Sequence, residues 1–431
     1  MSWSGLPRRR DLVRTATLVP ASLAGLTVLG ASNKGGGRVI KVGLIGCGGR
    51  GNGALLQHMQ AAEILNRRLD LGLTMQVSAV ADFFPHKARP TGEKYEVPRA
   101  RWFSGPDAYR KLIETDVEIV LIATPPVFRP IQVEAAVRAG KHVFMEKPAA
   151  VDPVGCRRVI AAGQIARQKG LVVVAGTLCR HIREFIETQA AVAEGAIGKV
   201  VSGRIASCMG LLGAVQPIGP LDPGRLAYTW SNWTEMSGDH IVEAHIHEID
   251  IMHWFMGAPP VSAAGFGGRA RRAAGNQYDF FSVDYEYPNG VHIHSICRQI
   301  NNCWNAMGVR FVGEKGTTNG RGDVRPQRGM SREIPQWGSG YDQEQINLLY
   351  CIAKGRPLNQ AGELAVSTAA AVMGRMSAYT GQRVTWSEMM EDPKQNPELY
   401  DLQLRPTAED FERETCPMPR EGVVPVPGRD A

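Results

Sequence analysis

The chain has 431 residues, 44% hydrophobic and 21% charged, an ordinary globular composition long enough for two or three domains. Its formal charge is +7, but Arg8, Arg9, Arg10 and Arg14 against Asp11 place +3 of that before residue 32. No later run of Lys or Arg could track phosphates, which argues against nucleic-acid binding.

The first predicted element is an address. Paired arginines precede an uncharged stretch, Thr15 to Ser32, that is interrupted by Pro20 and rich in small residues. It is mild for a membrane span and reads as a twin-arginine signal over residues 1–32, which implies export to the periplasm or beyond. Residues 33–38 read as a linker.

A strand–helix rhythm then covers 39–176. "VIKVGLIG" is a continuous apolar strand, followed by a helix from about Asn52 to Arg68. "MQVSAVAD", "VEIVLIATPP", "KHVFMEKP" and "GLVVVAGT" are further strands, with helices at Ile131 to Ala139 and Pro153 to Lys169. Strands apolar on both faces and separated by helices imply a parallel sheet covered on both sides.

After Thr177 the pattern changes to alternation. "KVVSGRIAS", "VSAAGFGGR", "FFSVDYEY" and "VHIHSICRQI" are the strands, and Asn289-Gly290 between the last two is a hairpin signal. Residues 177–390 thus form an α+β domain with a mostly antiparallel sheet, including a helical stretch from about Tyr341 to Thr380. Residues 391–431 form a proline-rich tail. The fold class is α/β, an N-terminal Rossmann domain followed by this α+β domain. Eight cysteines without C-x-x-C spacing indicate neither a zinc ribbon nor a disulfide scaffold.

"GLIGCGGRG" carries Gly46-x-Gly48-x-x-Gly51 directly after a buried strand and at the start of a helix. Gly46 makes the turn, Gly48 and Gly49 let backbone approach a pyrophosphate, and Gly51 permits close helix–strand packing. Asp82 ends the next strand, where an acid accepts from the adenosine ribose hydroxyls. That favours NAD over NADP; Arg50 weakens the preference slightly, and NADP stays possible.

"VEAHIHEIDIMHWFMG", Val242 to Gly257, concentrates histidines and acids. Zincin spacing fails, because Ile251 stands where the second histidine is needed. At about 100° per residue, Glu243, His247, Asp250, Trp254 and Gly257 share one helical stripe. A helix sends His245 to the opposite face, so no metal site is expected. His247 suits a proton-accepting role, since its ordinary pKa lies near neutrality. Glu243, one turn away, would hold it or relay its proton.

"IATPP" (with Thr124 and Pro125), "AGKHVFMEKP" and the E-x-x-x-H-x-x-D-x-x-x-W-x-x-G stretch together resemble the glucose–fructose oxidoreductase/inositol dehydrogenase family, Gfo/Idh/MocA, over about residues 39 to 390. A twin-arginine-exported bacterial subgroup is the best fit. The resemblance implies a sugar site between the two domains and a dimer or tetramer formed through the open sheet. It puts Lys147 on the reacting hydroxyl, Glu146 near the nicotinamide ribose, and Thr124 and Pro125 at the cofactor. The family's usual aspartate four residues before the histidine is Glu243 here. Either Lys147 or His247 would be the base. For the sugar, the resemblance points to Arg180 and His181. Asp250 on the polar stripe and the aromatics Tyr228, Trp230 and Trp233 join them.

The expected function is an NAD(P)-dependent oxidoreductase of a sugar, polyol or glycoside with tightly held dinucleotide. The alternatives are a redox-neutral glycoside hydrolase, working by oxidation, elimination, hydration and reduction, and a non-catalytic sugar or dinucleotide sensor.

Overall fold

The computed structural model describes residues 38–326 and 334–428. The signal and linker readings therefore lie outside the described residues, apart from Arg38. The chain begins with β1 (Arg38–Ile45), α1 (Gly49–Leu69), β2 (Leu73–Asp82), α2 (Pro85–Lys94), β3 (Trp102–Ser104) and α3 (Ala108–Ile113). It continues with β4 (Ile119–Ile122), α4 (Arg129–Arg138), β5 (His142–Met145), α5 (Pro153–Gln168) and β6 (Val173–Ala175). These six strands form one parallel sheet in the order β3-β2-β1-β4-β5-β6. The reversal between β1 and β4 opens a crevice at the strands' carboxyl ends, the ligand position of such sheets.

Strands apolar throughout are explained by cover on both faces. Ile40, Val42 and Leu44 pack with Ala54, Leu55 and Leu65 of α1. Ile45, Val120 and Ile122 pack with Leu112 of α3 and Val133 of α4 on the other side. The short edge strand β3 escaped the sequence pattern because three residues carry too little periodicity.

The second half holds α6 (Arg183–Ala193), β7 (Val200–Met209), α7 (Pro223–Tyr228), α8 (Thr234–Ser237), α9 (His240–Glu243) and α10 (Ile246–Met256). Then come β8 (Ser262–Gly268), β9 (Phe280–Tyr287), β10 (Val291–Gln299), β11 (Ala306–Gly313) and β12 (Gly316–Thr318). The last elements are α11 (Gly340–Lys354), α12 (Ala361–Thr380), β13 (Val384–Thr385), α13 (Pro397–Tyr400) and α14 (Ala408–Glu412). Seven strands order as β12-β11-β7-β10-β9-β8-β13, antiparallel except for β10 beside β7. Asn289 and Gly290 both take positive φ in the β9–β10 turn, the conformation their side chains tolerate. The β9 residues alternate in burial, and helices α10 and α12 cover the sheet's inner face. His292 and His294 stand on the exposed face.

Two helical readings need correction. The stretch from Tyr341 to Thr380 is two helices, because Gly355 takes a left-handed conformation and Pro357 follows it. The supposed single helix from Glu243 is also two, with Ala244 and His245 in a turn between α9 and α10. Helix α11, though late in sequence, packs on α1 of the first domain.

The tail returns to the first domain. Phe411 meets Phe83 and Phe128 at ring-centre distances of 5.8 and 5.1 Å, and the Tyr109 hydroxyl donates to Glu412 at 2.9 Å. None of the eight cysteines is in a disulfide. Among the described residues no helix is long and apolar enough to cross a membrane.

Candidate active site

A cleft of about 340 Å³ lies between the domains, in the size class of small-molecule sites. Its walls include Gly46, Gly48, Arg50, Asp82, Thr124, Pro125, Glu146, Lys147, Trp230, Glu243 and His247.

The glycine loop fits a dinucleotide. Gly46 takes φ +95°, and a Cβ on Gly51 would stand 1.8 Å from the Gly46 carbonyl oxygen. A Cβ on Gly48 or Gly49 would meet nothing within 4 Å, so the space above them is open. Helix α1 starts there with no side-chain cap and no acid in its first turn. Its first amides are thus free to receive an anion. Asp82 accepts from Cys47 N–H at 2.7 Å and Phe84 N–H at 2.9 Å. Burial lifts its carboxyl above the usual range against these bonds and the nearby Lys87 and His86.

Arg50 is engaged by protein groups in the cleft wall. Its guanidinium pairs with Glu146, lies 3.8 Å from Glu344, and stacks 4.7 Å from the Tyr341 ring centre. Thr124 donates to Gln132 at 2.6 Å. Arg129 donates to the Pro148 carbonyl at 2.5 Å and the Thr124 carbonyl at 2.6 Å, tying together the segments after β4 and β5. The Lys147–Pro148 peptide is cis.

Lys147 donates to the Glu243 carboxylate at 3.0 Å and to the Glu243 backbone carbonyl at 2.6 Å. Burial raises the Glu243 carboxyl, but Lys147, then Arg129 and His247, bring it net below the usual range. Glu243 therefore holds Lys147 rather than His247, because the break at Ala244 removes the one-turn relation between the two. Burial, reinforced by the Lys147 charge, lowers the His247 pKa. Among the described residues its ring nitrogens have no hydrogen bond.

The expected sugar contacts divide. Trp230 lines the cleft, but Arg180 pairs with Asp250 at 2.9 Å and with Glu363 at 3.2 Å, the Arg180 and Asp250 side chains both buried. Ser367 also donates to Asp250, at 2.7 Å. His181 is buried against Asn347 at 2.7 Å. Trp233 is fully buried, its indole donating to Thr229 at 3.0 Å. Tyr228 is exposed, edge-on to Phe84 at 5.8 Å. Of these, only Trp230 is in the cleft wall. Among the described residues no group of three His, Cys, Asp or Glu could hold a metal ion.

Sequence reasoning missed Lys87, Arg129, Gln132 and Tyr341, all of which line the cleft. Lys87 alone had a usable signal, five residues past Asp82 at the start of a helix. The others reach the cleft through packing.

Two family models match the chain. Residues 40–177 match "Oxidoreductase family, NAD-binding Rossmann fold" and 185–319 match "GFO/IDH/MocA C-terminal domain". The chain belongs to the GFO/IDH/MocA family. NAD is accordingly the dinucleotide that this family's Rossmann domain describes. The inositol 2-dehydrogenase of Salmonella typhimurium is 28% identical over 221 residues, covering 50% of this chain and 54% of that protein. The 2,7-anhydro-N-acetylneuraminate hydratase of Escherichia coli is 25% identical over 177 residues, covering 40% of this chain and 44% of that one. The match thus spans about half the length of these curated relatives. Among solved structures, the aldose–aldose oxidoreductase of Caulobacter crescentus, complexed with glycerol, superposes with a TM-score of 0.57 at 22% identity. That match covers 81% of this chain and 100% of the other, and it is a likeness of GFO/IDH/MocA fold.

Proposed function

We propose that this GFO/IDH/MocA protein oxidises a secondary hydroxyl of a sugar, polyol or glycoside with a tightly held NAD. The observation that carries the reading is convergence: the glycine loop, Asp82, Lys147, Glu243 and His247 border one cleft. The inositol 2-dehydrogenase relative supports a polyhydroxylated substrate.

Oxidising a CH–OH carbon removes a hydride and a proton, and NAD, when bound, supplies the hydride acceptor. Lys147, anchored by Glu243, presents an ammonium donor to the substrate oxygen and stabilises developing alkoxide. His247, kept neutral near pH 7 by burial and the Lys147 charge, is free to take the hydroxyl proton. Trp230 offers an apolar face to ring C–H groups.

The paired arginines near the amino terminus support export with the dinucleotide already bound. Free NAD is scarce outside the cytoplasm, so a second substrate would accept the hydride and reoxidise the same cofactor in place. The exposed face of the second sheet is the surface for a second copy. A redox-neutral reading is favoured by the hydratase relative. In it, oxidation at carbon 3 of a glycoside acidifies the C–H at carbon 2, the leaving group on carbon 1 is eliminated, water adds, and the ketone is reduced again.

The test is to denature the purified protein and weigh the released dinucleotide. Intact protein is then incubated with inositols, aldoses and aryl glycosides. Accumulation of an oxidised ketosugar or keto-inositol supports the dehydrogenase; aryl release without NADH build-up supports the hydrolase. No dinucleotide retained or bound would remove both.

A further inference from the structure

Asp82 is an incomplete guide to which dinucleotide the cleft takes. An acid at this position favours a free ribose 2′-hydroxyl and repels a 2′-phosphate. Here both carboxylate oxygens already accept a backbone N–H, from Cys47 and Phe84. Each oxygen keeps a lone pair for a ribose hydroxyl. Two amide dipoles and the start of α2, which begins at Pro85, offset part of its negative charge.

Lys87 stands on the same wall of the cleft, near enough to Asp82 to pull its pKa down. Its ammonium lies 4.9 Å from the ring centres of both Phe84 and Tyr228, and those rings belong to different domains. Two aromatic faces restrain the stem and leave the charge intact. Among the described residues no carboxylate pairs with it. The other cations of the cleft are engaged: Arg50 by Glu146, Arg129 by two backbone carbonyls, and Lys147 by Glu243. Lys87 is the cation left to answer an additional phosphate at the adenosine end.

We infer that Lys87 is a specificity-determining residue that lets the cleft accept a 2′-phosphate, so that the chain binds NADP(H) as well as NAD(H). This rests on the dinucleotide reading above and names the side chain that widens it.

The test is a titration of charcoal-treated full-length chain with NADH and with NADPH, followed by nicotinamide fluorescence. In the unaltered chain NADPH should bind within about tenfold of NADH, a difference of about 1.4 kcal/mol. Lys87→Gln should weaken NADPH relative to NADH by about tenfold or more, and Lys87→Arg should keep the ratio of the unaltered chain. Added salt should weaken NADPH more than NADH. Thermal melts of both variants show that they fold. NADPH binding about a thousandfold weaker than NADH in the unaltered chain, or equal loss of both in Lys87→Gln, would overturn the inference alone. Binding of neither would remove the dinucleotide reading and this inference with it.

Discussion

The Lys147 ammonium is held by Glu243 twice, through its carboxylate at 3.0 Å and its backbone carbonyl at 2.6 Å. One residue follows β5 of the parallel sheet and the other ends α9, so the pair bridges the two domains across the cleft. Removing the ammonium should stop chemistry without emptying the cleft. Lys147→Met is expected to lower turnover by about a thousandfold, while mass analysis of the denatured variant still finds the dinucleotide. Loss of the dinucleotide would instead mark Lys147 as structural. Glu243→Gln should cost turnover less, on the order of tenfold, because the carbonyl still receives the ammonium.

His247 should stay neutral below its ordinary titration range. Burial and then Lys147 lower its pKa. A base with a lowered pKa remains competent as pH falls past about 6.5, and fails only below that. The acid limb of kcat/KM is expected below pH 6.5. In Lys147→Met, removal of the nearby positive charge should move the His247 ring titration upward by NMR. An unmoved titration would contradict the proximity.

The glycine loop makes opposite predictions at two positions. A Cβ on Gly51 would overlap the Gly46 carbonyl oxygen at 1.8 Å, so Gly51→Ala should destabilise by about 1–3 kcal/mol in urea titration. A Cβ on Gly48 meets no protein atom within 4 Å. Gly48→Ala should keep its urea midpoint yet bind NADH at least about tenfold more weakly.

Arg180 and Asp250 should behave as a structural pair. Arg180→Ala leaves a buried carboxylate without its main partner and is expected to lose about 3–5 kcal/mol of stability. Replacing both, Arg180→Met with Asp250→Leu, should recover part of the loss. A stable single variant with only a raised KM would instead restore the sugar-contact reading.

Acid should weaken the fold before it protonates the carboxylates. His58 and His181 are buried, and burial takes both pKa values down to about 4. The unfolded chain takes up these protons near pH 6.5 and the folded chain does not until about 4. Their contribution is therefore whole above pH 6.5 and lost as pH falls through this window, by about 2 kcal/mol each at pH 5. Urea midpoints at pH 7 and pH 5 check this, and His58→Gln should flatten the slope.

Five of the six strands of the parallel sheet, the glycine turn and the Asn289-Gly290 hairpin were legible because each depends on neighbours a few residues apart. Apolar runs, φ preferences and the strand–turn–helix context of Gly46 to Gly51 are local properties. The same holds for the cluster from Glu243 to His247, whose residue types alone announce proton chemistry. Its geometry was misread because the turn at Ala244 and His245 has no Gly or Pro to mark it.

Folding alone settled which charges meet. A buried ion must find a partner, and the partner lies wherever the packed elements bring it, at any distance along the chain. So Arg180 reached Asp250 instead of a ligand, Glu243 reached Lys147 instead of His247, and Arg50 reached Glu146. Arg129, Gln132 and Tyr341 entered the cleft on elements whose own patterns say nothing of it.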